Sequence, residues 1–335
     1  MQQYIIRRVL LNIFVLFLVA TMVFGALRID SDHVINTKAA GCFTEVTATA
    51  TDRERCKDVA RADLGLDSSI PKQYWNYMTD LVQLDLGNTF ADKKPVLDEI
   101  ASRAAPSIEL GLLQIVVALV VALPIGIISA IRQDQWIDYV LRFVSIFFLG
   151  VPVFVVAVFV ILITSRYFGQ EDPLPFVGDW LGPHGLGWVQ IWEDPIDNLK
   201  RVSGAALVGG MATGAIIMRF LRSQMLEVMR QDYVRTAWAK GLRERVVIIR
   251  HALKNALIPV LTVIGLLLGS VIGGNVILET QYSIDGVGYY VTSAALQFDY
   301  PVMQGIVLIV ALLLVFINLL VDIAYGWLDP RIRYS

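Results

Sequence analysis

Residues 110–131 read LGLLQIVVALVVALPIGIISAI and contain no charged side chain. A helix rises about 1.5 Å per residue, so roughly 20 residues carry it across the hydrocarbon core of a bilayer. A helix on the surface of a water-soluble domain would instead carry a polar face and an apolar face. The run therefore predicts a transmembrane helix.

The same pattern recurs in five other places along the chain. These runs are 9–27, 143–164, 202–218, 257–278 and 302–321. The composition agrees, because 56% of the 335 residues are apolar, only 17% are charged and the mean hydropathy is +0.61. Such a chain is too apolar for a water-soluble domain of this size. We predict an all-α integral membrane protein with about six transmembrane helices.

The run 202–218 differs from the others in its glycine content. Gly210 and Gly214 have the small-xxx-small spacing that lets two helices approach closely. Such a surface suits contact with protein better than contact with lipid. We therefore expect this helix to lie inside the bundle.

Charges at the ends of the runs predict the orientation of the chain. Arg7 and Arg8 precede a first run that is longer than the core of a removed signal peptide, which favours an uncleaved anchor and a cytoplasmic N-terminus. Six crossings return Arg331 and Arg333 of the C-terminal tail to the cytoplasm. They also place the segment 219–254 there, where Lys and Arg outnumber Asp and Glu.

The polar segment 28–100 is expected outside the cytoplasm, as a small cap between the first two spans. It holds both cysteines of the chain, Cys42 and Cys56. An oxidising compartment would allow a disulfide, and closing this loop would contribute about 3 kcal/mol. Two free thiols are the alternative. We divide the chain into 1–27, the cytoplasmic N-terminus and first span; 28–100, the cap; and 101–335, a core with five spans.

The sequence offers little for catalysis. His33, His184 and His251 are scattered, and no HExxH or GxSxG sequence occurs. No GxxxxGK[ST] loop is present to hold nucleotide phosphates. We therefore predict neither a metal site nor a cofactor in this chain, and we expect energy for any solute movement to come from other subunits.

The most informative segment is 232–242, which reads DYVRTAWAKGL. Ala237 and Gly241 are four residues apart and would share one helical face, leaving a shallow surface for another protein. The flanking basic residues leave a second interpretation open, in which a short amphipathic helix rests on anionic lipid headgroups.

This segment resembles the coupling loop of the membrane subunits of bacterial ABC importers, in the form found in dipeptide and oligopeptide permeases. Other stretches resemble the first, or B-type, permease of that family over nearly the whole chain. They are 4–8, 64–67, 73–75, 85–87 and 299–305, followed by Asn318, Asp322 and 329–333. The chain departs from the family pattern at 28–32, where a Pro-Gly-Asp-Pro is usual, and at Asp285, where proline is common.

The resemblance implies a type I ABC-importer permease in a bacterial inner membrane. It implies a peptide substrate, a paralogous permease, an extracytoplasmic binding protein, and two ATPase subunits that hold ATP and Mg. Nickel complexes or glutathione are alternative cargoes, and a proton-driven carrier or a membrane scaffold is an alternative function. By resemblance, the residues that couple to the ATPases are Arg235, Thr236, Ala237, Ala239, Lys240 and Gly241.

Charged and polar residues at the ends of the last two spans are candidates for the translocation pathway. A carboxylate in a membrane is costly unless it is paired or wetted. Glu279, near Asn275, is expected at the outer mouth of the pathway. Asp322 is also a candidate, although a structural pairing is the stronger interpretation there.

Overall fold

A computed structural model describes residues 2–29, 31–40, 50–63, 66–90, 92–168, 174–272 and 275–328. Within these ranges the chain is helical, apart from loops and one isolated antiparallel bridge between Asn88 and Pro95. The predicted all-α class is confirmed.

Fifteen α-helices and one π-helical stretch, Val247–Leu253, occur in the described residues. The α-helices are α1 (Gln2–Ile29), α2 (Ser31–Ala40), α3 (Ala50–Asp63), α4 (Ile70–Val82), α5 (Val96–Ile131), α6 (Trp136–Gly150), α7 (Val153–Tyr167), α8 (Pro175–Leu181), α9 (Pro195–Met229), α10 (Asp232–Ala239), α11 (Glu244–Val246), α12 (Lys254–Ile272), α13 (Val276–Tyr282), α14 (Val287–Leu296) and α15 (Tyr300–Leu328).

Five of these helical segments are long and apolar enough to cross a membrane, and the bent pair α6–α7 makes a sixth when its two helices are counted as one span. The five are Ile6–Ala26, Val96–Ile131, Pro195–Met229, Glu244–Gly269 and Tyr300–Leu320. The prediction of about six spans is therefore confirmed.

The third span is not the straight helix expected over 143–164. It bends by 100° between Gly150 and Val153. Pro152 has no backbone N–H to donate, and it pushes the residue before it out of helical geometry. Val151 accordingly has φ −87° and ψ 124°, which is extended. The proline breaks the span into α6 and α7.

The fifth span also differs from its expected bounds of 257–278. Helix α12 ends at Ile272, and Asn275 has the non-helical angles φ −93° and ψ 65° before α13 begins. At its other end the span is continuous with the π-helical stretch and begins at Glu244. The spanning segment is therefore shifted toward the N-terminus.

The helices form two compact units, of which the first comprises 1–105 and 290–319. In this unit the ring of Phe24 on α1 meets the ring of Tyr74 on α4 edge-on at 5.1 Å. Thr21 Oγ1 lies 2.8 Å from the hydroxyl of Tyr74. On α15, Gln304 Nε2 donates to the Val23 carbonyl at 3.0 Å. Polar contacts thus join three helices of the unit.

Helices α2 and α3 of the first unit pair with each other through a small apolar cluster. Ile35, Ala39 and Ala60 are buried there, and Cys56 packs against them. Cys42 lies outside the described residues, so the Cys42–Cys56 disulfide stays a prediction.

The second unit, 106–289 with 320–335, is built around α9. Of its apolar window 67% is buried, against 33% or less for the other four unbroken spans. A Cβ added to Gly209 would lie 2.7 Å from Cδ of Gln114, and one on Gly210 would lie 2.6 Å from Cγ1 of Val117. Only glycine leaves room for α5 at this distance, which confirms that this span lies inside its helix bundle.

Candidate functional site

Helix α10 is anchored to the second unit by one apolar side. Val234, Ala237 and Val247 form a buried cluster, with Val228 of α9 packed against it. On the same segment, Asn255 Nδ2 donates to the Tyr233 hydroxyl at 2.9 Å. Helix α10 is therefore held against the end of α9 and the π-helical stretch that follows.

The other side of α10 is open to solvent. Arg235 has 72% of its side chain exposed, and its guanidinium lies 3.6 Å from the Asp232 carboxylate. Thr236 is exposed as well, and its hydroxyl donates to the Asp232 carbonyl at 2.9 Å. The remaining exposed residues of this surface are Trp238, Ala239 and Lys240. We call the set Arg235, Thr236, Trp238, Ala239 and Lys240 the α10 outer face.

The expectation that Ala237 and Gly241 share one helical face is wrong. Ala237 is 5% exposed and faces the interior of the unit. Helix α10 ends at Ala239, and Gly241 follows with φ +72°. Glycine adopts this left-handed conformation without a steric penalty, so it commonly ends a helix. Gly241 thus stops the helix instead of extending its surface.

A second polar centre, which sequence analysis missed, lies where α5, α6 and α9 meet. The Asp138 side chain is completely buried and accepts two hydrogen bonds from Arg222, from Nε at 2.9 Å and from Nη2 at 2.8 Å. It also accepts one from the Ser129 hydroxyl at 2.5 Å and one from the Asp134 backbone N–H at 3.1 Å. Arg142 Nε lies 3.5 Å from the same carboxylate.

Asn275 belongs to a polar chain inside the second unit. Its Nδ2 donates to Oε1 of Gln114 at 2.5 Å, and Gln114 Nε2 donates to the Thr213 hydroxyl at 3.0 Å. Gln114 and Thr213 are both buried. The chain links α5, α9 and the break before α13.

Glu279 is completely buried rather than exposed at a surface of the unit. Its Oε2 accepts hydrogen bonds from the backbone N–H of Gly288 at 2.7 Å and of Tyr289 at 3.1 Å, which places a carboxylate at the N-terminus of α14. Burial raises the pKa of the Glu279 carboxyl, and hydrogen bonds from Ser107 and the backbone oppose that rise. Glu279 therefore holds the loop 283–286 and the first turn of α14 close to α5 and α13.

The predicted pathway residues are not brought into one described cluster. The Asn275 side chain bonds to Gln114, whereas the Glu279 carboxyl bonds to Ser107 and to the backbone, including that of Asn275. Asp322 lies on α15, and its side chain is outside the described part of the structure. As pathway residues all three stay predictions.

Two family profiles match the chain. "Binding-protein-dependent transport system inner membrane component" matches residues 122–334, and the N-terminal profile of such membrane components matches residues 1–111. The chain belongs to this family. The first profile includes α10, its outer face and the Asp138 centre.

Similar proteins carry related names. The dipeptide transport system permease protein DppB of Alkalihalophilus pseudofirmus is 36% identical over the full length of both chains. DppB of Escherichia coli is 36% identical over 82% of this chain and 84% of its own length. The glutathione transport system permease protein GsiC of Pectobacterium atrosepticum is 35% identical over 83% of this chain and 84% of its own.

Membership of the family fixes the general role of the protein. It is a multi-pass permease of the inner membrane that works in a binding-protein-dependent transport system. The permease is not an enzyme, because ATP hydrolysis belongs to a separate subunit of such a transporter.

The sequence of the permease contains only a weak indication of the polar centre at Asp138. Asp138 and Arg222 each stand at the edge of an apolar run, where a charge needs a partner. They are 84 residues apart, so nothing local pairs them. The exposed Trp238 could have been found from its place between Ala237 and Ala239 in the coupling segment.

Proposed function

We propose that the permease forms the peptide translocation pathway of an ATP-driven importer together with a paralogous permease. The observation that carries this proposal is α10, a short helix anchored by Val234 and Ala237 and open on its outer face. The names of the relatives support a peptide cargo. Two ATPase subunits, which hold ATP and Mg, dock on the cytoplasmic side of the two permeases, and one of them contacts the α10 outer face. An extracytoplasmic binding protein delivers the peptide.

The proposed orientation puts both termini, the turn 132–135 and the segment 230–243 in the cytoplasm. The excess of Lys and Arg in the last of these supports it, because positive charge marks cytoplasmic loops. The cap 28–100 then lies outside, where the Cys42–Cys56 disulfide would form.

In the proposed mechanism, closure of the two ATPases on ATP moves α10, and α10 moves the end of α9 to which it is attached. The central cavity is then exposed alternately to the two sides of the membrane. Arg235, Thr236, Ala239 and Lys240 make the contact with the ATPases, joined by Trp238. Ala237 and Gly241 act indirectly, because one seats α10 and the other ends it.

Asn275, Glu279 and Asp322 remain candidates for pathway residues in this proposal. The polar chain through Gln114 supports Asn275, because its amide lies at the break between α12 and α13 and reaches the span α5. Irregular backbone at membrane depth is tolerated only inside protein or beside a water-filled cavity, and a residue at such a break can line a substrate path.

Glutathione is the second cargo to consider, since relatives of similar identity are named for its transport. Glutathione and dipeptides are both small peptides that carry carboxylates. The similarity to binding-protein-dependent systems favours an ATP-driven importer over a proton-driven carrier or a scaffold. A cargo of nickel complexes has no support among the relatives described above.

The test is reconstitution of the permease in liposomes with its paralogous permease, ATPases and binding protein. Radiolabelled dipeptide should accumulate inside only when ATP is supplied to the ATPases, and unlabelled dipeptide should compete better than glutathione. Affinity purification of the tagged permease from native membranes should recover the ATPases and the second permease. Peptide uptake that persists without ATP, or purification without ATPases, would contradict the proposal.

A further inference from the structure

The ion pair between Asp138 and Arg222 joins the helix that leads into α10 to the broken span α6–α7. Arg222 lies on α9, and Asp138 lies in the first turn of α6. Both carboxylate oxygens accept a hydrogen bond from the guanidinium, so the pair fixes direction as well as distance. Ser129 and the Asp134 backbone extend the contact to the end of α5 and the turn after it.

Stability alone does not account for such a pair. Removing two charges from water costs about as much as their attraction returns, and apolar replacements of similar volume are often equally stable. A buried pair with two aligned hydrogen bonds does fix how two helices sit against each other. A positional role is therefore the better physical explanation for a carboxylate that is completely buried and has every oxygen in use.

The position of the Asp138–Arg222 pair shows which helices it connects. Helix α9 continues without a break from Arg222 to Met229, and Val228 packs on the cluster that holds α10. A movement of α10 therefore reaches Arg222 through a rigid helix. On the far side of the pair, α6 runs from Asp138 to the 100° bend at Pro152.

We infer that Asp138 and Arg222 are positioning residues that carry movement of α10 into the bent span α6–α7. This inference rests on the proposed function. Without the pair, α10 and α9 still move when the ATPases close, but α6 no longer follows. The result is ATP hydrolysis that is poorly coupled to transport.

The experiment measures peptide imported per ATP hydrolysed in liposomes that hold the complete transporter. The variants are Asp138→Asn, Arg222→Gln and the double variant, and the matched controls are Glu227→Gln and Arg219→Gln on the exposed side of α9. We expect each single variant to lower the ratio about 5-fold or more, which is the range of typical coupling between sites. The double variant should be no worse than either single variant, because the two residues act as one contact. The controls should match wild type.

The ratio separates positioning from folding. A purely structural pair would reduce the amount of assembled transporter but leave import per ATP unchanged, and that result would overturn the inference. If a single variant fails to assemble because its partner's charge is left unpaired, the double variant, which removes both charges of the pair, decides the matter. If wild type hydrolyses ATP but imports no peptide, the proposed cargo is wrong. Stimulation of hydrolysis by the binding protein then replaces import, and equal stimulation in the double variant and wild type would overturn the inference.

Discussion

The Glu279 carboxylate occupies the space that a side chain on Gly286 would need. A Cβ built on Gly286 would overlap Oε2 of Glu279 and lie 2.5 Å from the Ser107 hydroxyl. The neighbouring Gly288 has a related constraint, since its Cβ would lie 2.9 Å from the same carboxylate oxygen. The loop before α14 and the first turn of α14 can therefore pack against Glu279 only with glycine at these positions.

Gly286→Ala should lower the stability of the permease. The added methyl group must displace the buried Glu279 carboxyl and the Ser107 hydroxyl, and overpacking of this kind costs about 1–3 kcal/mol. Gly150→Ala is the matched control, because nothing lies within 4 Å of its Cβ position. Thermal unfolding of the detergent-purified proteins should separate the two variants. Equal melting temperatures for the two variants would show that the loop accommodates the added methyl group without a loss of stability.

Glu279 should also make stability depend on pH. Burial raises the pKa of the Glu279 carboxyl in the folded protein above its ordinary value of 4.5. The folded state therefore holds this proton more tightly than the unfolded state. The contribution of Glu279 is fully present below pH 4.5 and is lost as the pH rises through its folded pKa.

The measurement for Glu279 is unfolding as a function of pH for wild type and Glu279→Gln. The difference in stability between them should shift in favour of the variant as the pH rises from 4.5 toward the folded pKa, because glutamine does not ionise. Parallel curves would mean that the carboxyl titrates equally in both states.

The spans could be predicted from sequence because hydrophobic length is a one-dimensional property. Each apolar run needed only enough residues to cross a bilayer. The bend at Pro152 had a local signal, since proline breaks a helix, but the unbroken apolar run masked it. The end of α10 at Gly241 also had a local signal in the sequence, because glycine is preferred just after the last turn of a helix.

The contacts of Asp138 and Glu279 could not be predicted in the same way. Asp138 is paired with Arg222 across 84 residues, and Glu279 meets Ser107 on a different helix. Such pairs exist only once the helices have packed. Charge at the end of a run indicates that a partner is needed, but it does not identify that partner.

We expect every substitution of Gly241 to strain the backbone at this position. Nothing lies within 4 Å of its Cβ position, so side-chain size matters little within the chain, whereas φ +72° disfavours any L-residue by about 1–2 kcal/mol. Gly241→Ala and Gly241→Leu should therefore lose peptide uptake to a similar degree, and Gly241→Asn should lose less, because asparagine tolerates this conformation. Uptake by the reconstituted transporter is the measurement. A much larger loss for Gly241→Leu than for Gly241→Ala would place the side chain against an ATPase.

Ala237 and Ala239 provide a matched pair on opposite sides of α10. Ala237 is buried against Val234 and Val247, while Ala239 is exposed on the α10 outer face. Ala237→Leu should overfill the buried cluster and cost about 1–3 kcal/mol of stability. Ala239→Leu should leave stability unchanged and obstruct the proposed ATPase contact. Loss of a packed contact at an interface centre costs about 2 kcal/mol or more, so ATPase binding should fall by about thirty-fold.

Two measurements on the same two proteins distinguish these effects. Thermal unfolding of the purified permease should report a loss for Ala237→Leu alone. Titration of the ATPase subunits into liposomes that hold the two permeases should report weak binding for Ala239→Leu even though that variant is fully folded. If Ala239→Leu binds the ATPases as wild type does, the α10 outer face is not their docking surface. Its basic residues would then be better explained by contact with anionic lipid headgroups.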